Sequence, residues 1–159
     1  RTAEEYSAAE MPFIHAEEGR PMRIRRASES FLRENAEFAG AYLPEILESY
    51  KSFADFLKHG FAFFALEGEN ICGNIISNGE YNGCFIVGAD TKAEYRRRGI
   101  ASALLRTAIE SARERGNEII WECAEENIPS VRTAESCGMH RCGEFFVRWF
   151  EFEPNTPQD

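Results

Sequence analysis

The chain is short of positive charge, with 18 Lys and Arg against 27 Asp and Glu and a net charge of −9. A protein this acidic is a poor partner for a nucleic-acid backbone, whose phosphates draw Lys and Arg, and nucleic-acid binding is excluded from the reading. The same field mildly favours a cationic partner such as an amine, although acidity also serves solubility alone. No apolar run approaches the roughly 20 residues that span a bilayer, so no membrane helix is expected. Metal-ligand spacing is missing as well. The five cysteines, Cys72, Cys84, Cys123, Cys137 and Cys142, contain no C-x-x-C pair and have no His at ligand spacing. Their number is odd and several lie in apolar runs, where a free thiol behaves as a small hydrophobe. They read as reduced thiols of a cytoplasmic protein without a metal. The histidines His15, His59 and His140 have no visible acidic or nucleophilic partner, and a lone His is ordinarily structural or exposed. There is no Gly-Lys-Ser/Thr ending, which argues against a nucleotide-hydrolysing loop, and no three-glycine dinucleotide fingerprint.

What remains suits one globular domain: 159 residues, 43% hydrophobic and 28% charged. Thirteen Phe point to an aromatic-rich core or pocket. Residues 1–21 lack periodicity and read as a linker or the remnant of an upstream segment. Residues 22–152 form the domain, and 153–159 a flexible tail.

Met22–Arg26 alternates as a short strand does. Ser28 can cap a helix through Phe31, Phe38, Tyr42 and Leu47, which Pro44 is expected to split in two. A further helix covers Ser52–His59 and stops at Gly60. Three strands then form a meander: Phe61–Leu66, Ile71–Ser77 and Cys84–Thr91. Asn78-Gly79 and Asn82-Gly83 are hairpin-type dipeptides. From Gly99 the period changes. Ala101, Leu104, Leu105, Ala108, Ile109 and Ala112 make one helical stripe, ended by Gly116. Glu118–Cys123 is a strand, residues 129–137 a helix, and Met139–Cys142 and Phe145–Phe152 are final strands. The aromatic last strand is an edge that a second copy could share in a homodimer. The strand–helix–strand unit over 84–123 should be parallel.

The most informative stretch joins the strand ending at Thr91 to the helix beginning after Gly99. The first backbone N–H groups of a helix have no internal partner, and their dipole end attracts an anion. Gly99 lets an oxygen approach the backbone, small Ala101 leaves room, and Arg96, Arg97 and Arg98 add charge. Together these features favour a diphosphate, although a basic Gly turn is also an ordinary solvated helix cap.

The surroundings make the match more specific. Arg96-x-x-Gly99-x-Ala101 resembles the pyrophosphate signature Arg/Gln-x-x-Gly-x-Gly/Ala of the GNAT superfamily of N-acetyltransferases. Ala93-Glu94-Tyr95-Arg96 resembles that family's Pro-Glu-Tyr-Arg approach. Asn127-Ile128-Pro129-Ser130 with Cys137-Gly138-Met139 resembles its Asn…Gly-Phe segment, Met139 replacing Phe. The likeness covers about residues 22–152 and is strongest from Phe85 to Met139. The run from Trp121 to Gly138 is also similar to a subgroup that includes antibiotic-resistance acetyltransferases of the zwittermicin type.

The resemblance implies an α/β fold: a mixed, mostly antiparallel central sheet with helices on both faces and a splayed parallel strand pair. It implies acetyl-CoA as cosubstrate and a primary amine of a small molecule or peptide as acceptor, attacked directly and without a metal. It places the pantetheine arm along Ala89, Asp90 and Thr91, beside a bulge that splays the strand. The pyrophosphate falls on Arg97, Arg98, Gly99, Ile100, Ala101 and Ser102, mainly through amides, with Arg96 orienting the turn. Asn127 would reach the cofactor, and Ser130 is a further candidate; a helix cap explains either as well. The base that deprotonates the amine is sought at Glu122 or Asp90, with Glu80 and Tyr81 as further candidates. Many relatives carry a thiolate-protonating Tyr where this chain has Ala134, which excludes an acid there. That departure leaves a second reading open, a catalytically inactive acetyl-CoA-binding regulatory or sensor domain.

Overall fold

A computed structural model describes residues 11–14 and 22–147. Its centre is a six-stranded sheet in chain order: β1 (Met11–Ile14), β2 (Met22–Arg26), β3 (Ala62–Glu67), β4 (Asn70–Tyr81), β5 (Cys84–Thr91) and β6 (Glu118–Trp121). Neighbours are antiparallel except β5 and β6, which are parallel. Strand β1 lies inside the segment read from the sequence as a linker or remnant. Helices α1 (Glu29–Glu34), α2 (Ala36–Ser49) and α3 (Phe53–His59) precede β3; α4 (Ile100–Glu114) links β5 to β6, and α5 (Ile128–Ser136) follows.

Alternation along the strands builds two cores. Phe61, Phe63 and Ala65 pack with Ile75, Phe85, Val87 and the α4 residues Ile100, Leu104, Leu105 and Ala108. Their neighbours Ala62, Phe64 and Leu66 turn to the other face, against Phe31, Ile46, Tyr50 and Phe56 of α1–α3. Period-two strands thus serve helices on both faces. On the helical side, Phe31 stacks on Phe64 with ring centroids 4.6 Å apart.

Several expectations are corrected. The break between the first two helices falls at Asn35, whose backbone (φ −119°, ψ 51°) leaves the helical region, while Pro44 lies inside α2. Asn78-Gly79 makes no hairpin, because β4 runs on to Tyr81 and only Asn82-Gly83 turns the chain. Asn78 is instead a bulge residue: Ser77 pairs with Val87 and Gly79 with Ile86, leaving Asn78 unopposed. The expected strand Met139–Cys142 does not form, and Phe145–Val147, the described part of the last expected strand, has no regular structure either. Among the described residues no strand pairs with 139–147, and Phe145 and Phe146 stand 67% and 101% exposed. Residues 148–152, the tail expected at 153–159 and His15 lie outside the described residues. Among the described residues no helix is long and apolar enough to cross a membrane.

A buried polar cluster joins the two layers. Phe61 N–H donates to Ser77 Oγ at 2.8 Å, the Ser77 hydroxyl donates to Phe61 O at 3.1 Å, and the Tyr50 hydroxyl hydrogen-bonds Ser77 Oγ at 3.0 Å. A Cβ on Gly60 would lie 2.6 Å from Ser77 Oγ and 2.7 Å from the Tyr50 hydroxyl, so the cluster needs a glycine there. Burial pushes the Tyr50 phenol above its ordinary pKa, partly offset by the Ser77 bond. An acid whose pKa is raised on folding holds its proton more tightly in the native state. Its stabilisation is complete below the unfolded pKa and is lost as pH rises through the folded one. Tyr50→Phe is therefore expected to cost about 0.5–1.5 kcal/mol at neutral pH and to flatten the alkaline fall in stability, both read from urea unfolding.

Candidate active site

The candidate site is assembled where β5 loses its parallel neighbour. The β5–β6 ladder runs from Cys84 opposite Glu118 to Val87 opposite Trp121 and stops there. Gly88, Ala89, Asp90 and Thr91 continue β5 with β4, among the described residues, as their one neighbouring strand, and Ala89 and Asp90 are exposed. The irregularity expected on β5 lies on β4: the Asn78 bulge stands opposite the step from Ile86 to Val87, where β6 departs. A bulge bends its strand and increases local twist, which accounts for the separation at this point. The Asn78 amide closes over Gly88, whose Cβ would meet Asn78 Nδ2 at 3.0 Å.

Beyond Thr91 a single 3₁₀ turn, Ala93–Tyr95, carries the chain to the basic turn. Arg96 Nε donates to Thr91 O at 3.2 Å across this loop. Arg97 adopts φ 63°, Gly99 follows with φ 74° and ψ 9°, and α4 begins at Ile100. The first N–H to bond within the helix is that of Ala103, to Gly99 O at 3.0 Å. The amides of Gly99, Ile100, Ala101 and Ser102 precede it and have no intrahelical acceptor. No side chain caps this end, and no acid occupies its first turn. A Cβ on Gly99 would meet nothing within 4 Å, so the space beside Gly99 at the start of the helix is open. An uncapped helix start, a left-handed glycine and an exposed Arg97 fit a phosphorylated ligand.

Asp90 pairs with Asn74 on the sheet face that carries α1–α3. Strand β6 ends at Trp121, two residues short of the end expected at Cys123, and Glu122, the first residue past it, is exposed. The two carboxylates thus flank the opening between β5 and β6 without touching. Glu80 accepts a 2.9 Å bond from Asn117 Nδ2, at the opposite end of β5 from the basic turn, and Tyr81 is exposed beside it. Asn127 is the N-cap of α5, its Oδ1 accepting from Ser130 N–H at 3.3 Å. Ser130 Oγ in turn accepts from Trp121 Nε1 at 3.0 Å, tying α5 to the end of β6. Ser102 Oγ is 3.1 Å from Ser136 Oγ, and Cys137 Sγ donates to Ser102 O at 3.4 Å, so α5 is also anchored to the first turn of α4. His59 pairs with Asp55 on the surface of α3, and His140 is exposed. Among the described residues no cluster of three or more His, Cys, Asp or Glu could hold a metal.

A contact absent from the linear pattern stands behind the turn. Arg98 Nη1 lies 3.4 Å from Glu67 Oε1, and its guanidinium sits over the Tyr95 ring, 5.2 Å from the centroid. Glu67 is 31 residues away in the chain, so no spacing rule could reveal it.

A family model for GNAT acetyltransferases matches residues 6–147. The chain belongs to the GNAT acetyltransferase family. It is therefore an acetyltransferase, and the likeness read from Arg96, Gly99 and Ala101 holds for most of its length. No curated protein sequence matches it. Among solved structures, an aminoglycoside acetyltransferase from an uncultured soil metagenomic sample, in complex with trehalose, is 15% identical. That match covers 83% of this chain and 97% of the other, with a TM-score of 0.62. The aminoglycoside N-acetyltransferase AAC(6′)-Iy, in complex with CoA, is 19% identical over 80% of this chain and 98% of its own, with a TM-score of 0.57. A GCN5-related N-acetyltransferase-like protein from Streptococcus suis is 20% identical over 73% of this chain and 45% of its own, at 0.58. At these identities the neighbours speak for the fold of this GNAT member.

Proposed function

We propose that this GNAT enzyme moves an acetyl group from acetyl-CoA to a primary amine of a small molecule by direct attack. The observation that carries the reading is the pair of open backbone edges: four uncapped amides at the start of α4, and the β5 segment Gly88–Thr91, which among the described residues has no strand beside it on the β6 side once β6 has ended. In this reading the amides of Gly99, Ile100, Ala101 and Ser102, with Arg97 beside them, hold the diphosphate. The edge of β5 at Ala89–Thr91 hydrogen-bonds the amide-containing pantetheine arm as an added strand would.

Acetyl-CoA supplies the activated thioester. A backbone N–H at Ala89–Thr91 stabilises the charge that develops on the carbonyl oxygen. Glu122, at the lip of the gap, takes the amine proton, a contribution of about 10²–10⁴-fold for a positioned base; Asp90 flanks the other side. Ala134 offers no proton to the departing thiolate; as the C–S bond breaks, that proton comes from water or from the attacking nitrogen, which carries a positive charge in the tetrahedral intermediate and must shed one to become the amide. Two structural neighbours are aminoglycoside acetyltransferases, and one was solved with CoA. Both facts support a small-molecule amine as acceptor and CoA as carrier, and the likeness of 121–138 to antibiotic-resistance enzymes points the same way. The acidity of the chain suits a cationic acceptor.

Calorimetry with CoA and acetyl-CoA tests the first half of this reading; saturable heat is expected with both, and its absence from folded protein overturns it. Thiol release from acetyl-CoA in the presence of an aminoglycoside, a polyamine and a Lys-bearing peptide tests the second half. Release is expected to be fastest with a small polyamine or aminoglycoside, and fastest release with the peptide would reassign the acceptor.

A further inference from the structure

We propose that Glu67 is a positioning residue for the coenzyme site, acting through Arg98 to hold the turn that presents the α4 amides; the proposal rests on the coenzyme reading above. The turn needs holding. Arg97 has φ 63°, a region costly for a residue with a side chain, and Gly99 on the other side of Arg98 has φ 74°. The two arginines that flank Arg97 are both turned back onto the protein. Arg96 Nε reaches Thr91 O at 3.2 Å. Arg98 Nη1 reaches Glu67 Oε1 at 3.4 Å while its guanidinium covers the Tyr95 ring. Tyr95 itself packs on the core beneath the turn. Strand β3 therefore grips the turn from below through one carboxylate, with the side chains of Arg98 and Glu67 only 36% and 19% exposed. Arg97, between these two arginines, is exposed, as is Arg96, whereas Arg98 is half-buried.

This arrangement separates two roles for Arg98. If its guanidinium were a phosphate ligand that Glu67 merely competes for, removing the Glu67 charge would free it and tighten coenzyme binding. If Glu67 and Arg98 form a clasp, the same change loosens the turn and weakens binding. The two outcomes have opposite signs.

The experiment is a double-mutant cycle on the full chain, with the dissociation constant for CoA measured by calorimetry in wild type, Glu67→Gln, Arg98→Met and the double variant. Glu67→Gln is expected to weaken binding about fivefold, the upper range for a partly exposed pair. Arg98→Met is expected to weaken it at least as much, and Glu67→Gln to add nothing in the Arg98→Met background. With an amine that the wild type acetylates, the loss should appear in KM for acetyl-CoA, with kcat within about twofold and no loss for S-acetylpantetheine, which lacks the diphosphate. Unchanged or tighter CoA binding by Glu67→Gln overturns the proposal. So does an equal loss in the Arg98→Met background or with S-acetylpantetheine, either of which marks a general structural role. A wild type that binds CoA while Glu67→Gln is unaltered removes Glu67 alone, whereas a wild type that gives no heat removes the coenzyme reading and this proposal with it.

Discussion

Gly99→Glu is expected to weaken coenzyme A binding by at least about 100-fold while leaving the protein folded. The fold survives because the new side chain meets open space: a Cβ at position 99 has nothing within 4 Å. The remaining cost is that of a left-handed residue at φ 74°, roughly 1 kcal/mol without glycine, a small part of a domain's total stability. Binding has no such tolerance. A carboxylate at a helix N-terminus is itself stabilised by the free amides, so the introduced side chain occupies the place meant for a phosphate and repels the one that arrives. Two unit charges about 4 Å apart at an effective dielectric constant near 20 oppose each other by about 4 kcal/mol, which is ample for a 100-fold loss. Gly99→Ala separates the components, because it keeps the backbone strain and omits the charge; a loss well below that of Gly99→Glu is expected. Calorimetry on both variants, with thermal unfolding to confirm the fold, gives the answer. Near-normal affinity in Gly99→Glu would remove the diphosphate from the start of α4.

The segment that carries this prediction is legible in the sequence. Cys84–Thr91 is an apolar run that a strand explains, and the helical stripe from Leu104 to Ala112 changes period at a glycine, so β5, α4 and the turn between them follow from local rules alone. Local rules fail where two segments compete or where a partner is distant. Asn78-Gly79 has hairpin chemistry, but β5 begins only at Cys84, and pairing of Gly79, Glu80 and Tyr81 with Ile86, Phe85 and Cys84 prevails over the local turn preference. Asn78 becomes the bulge residue, and through that bulge it shapes the opening at Val87. Pro44 likewise carries a breaker's chemistry without breaking α2, whereas Asn35, a weaker signal, ends α1 with its side chain bonded to Phe31 O at 2.8 Å.

The same distinction divides the site. The amide row at 99–102 is one contiguous motif and shows in the sequence. The partners that immobilise it do not: Glu67 reaches Arg98 from β3, and Ser136 and Cys137 reach Ser102 from α5. Asn127 and Ser130 illustrate the reverse case, since the residue types suited cofactor contact and helix capping equally. Their hydrogen bonds join the α5 cap to the end of β6, so any contribution to coenzyme binding must come through atoms those bonds leave available.

The second large effect is expected at Gly73, which carries no chemistry of its own. Leu66 pairs with Ile71 and Ala65 with Gly73, so Cys72 is an extra residue that bends β4 just before Gly73 meets Thr91. At that crowded point a Cβ on Gly73 would lie 2.7 Å from the carbonyl oxygen of Asp90, 3.2 Å from Thr91 Oγ1 and 3.3 Å from Ile100 Cγ2. The first of these is backbone and cannot swing aside, so Gly73→Ala must push the end of β5 and the first residue of α4 away from β4. Overpacking of this kind costs about 1–3 kcal/mol. The functional loss should exceed the loss in stability, because the displaced atoms belong to the strand end and the helix start proposed to grip the coenzyme. A misplacement near 1 Å is enough for about a 100-fold fall in kcat/KM. Gly79→Ala is the control, since its Cβ would meet only Ser49 at 3.8 Å, an ordinary contact. Gly73→Ala is expected to lower CoA affinity and kcat/KM together in protein that still unfolds cooperatively, and Gly79→Ala to change neither. Equal behaviour of the two variants would mean that the approach of β4 to Asp90 and Ile100 does not set the coenzyme site.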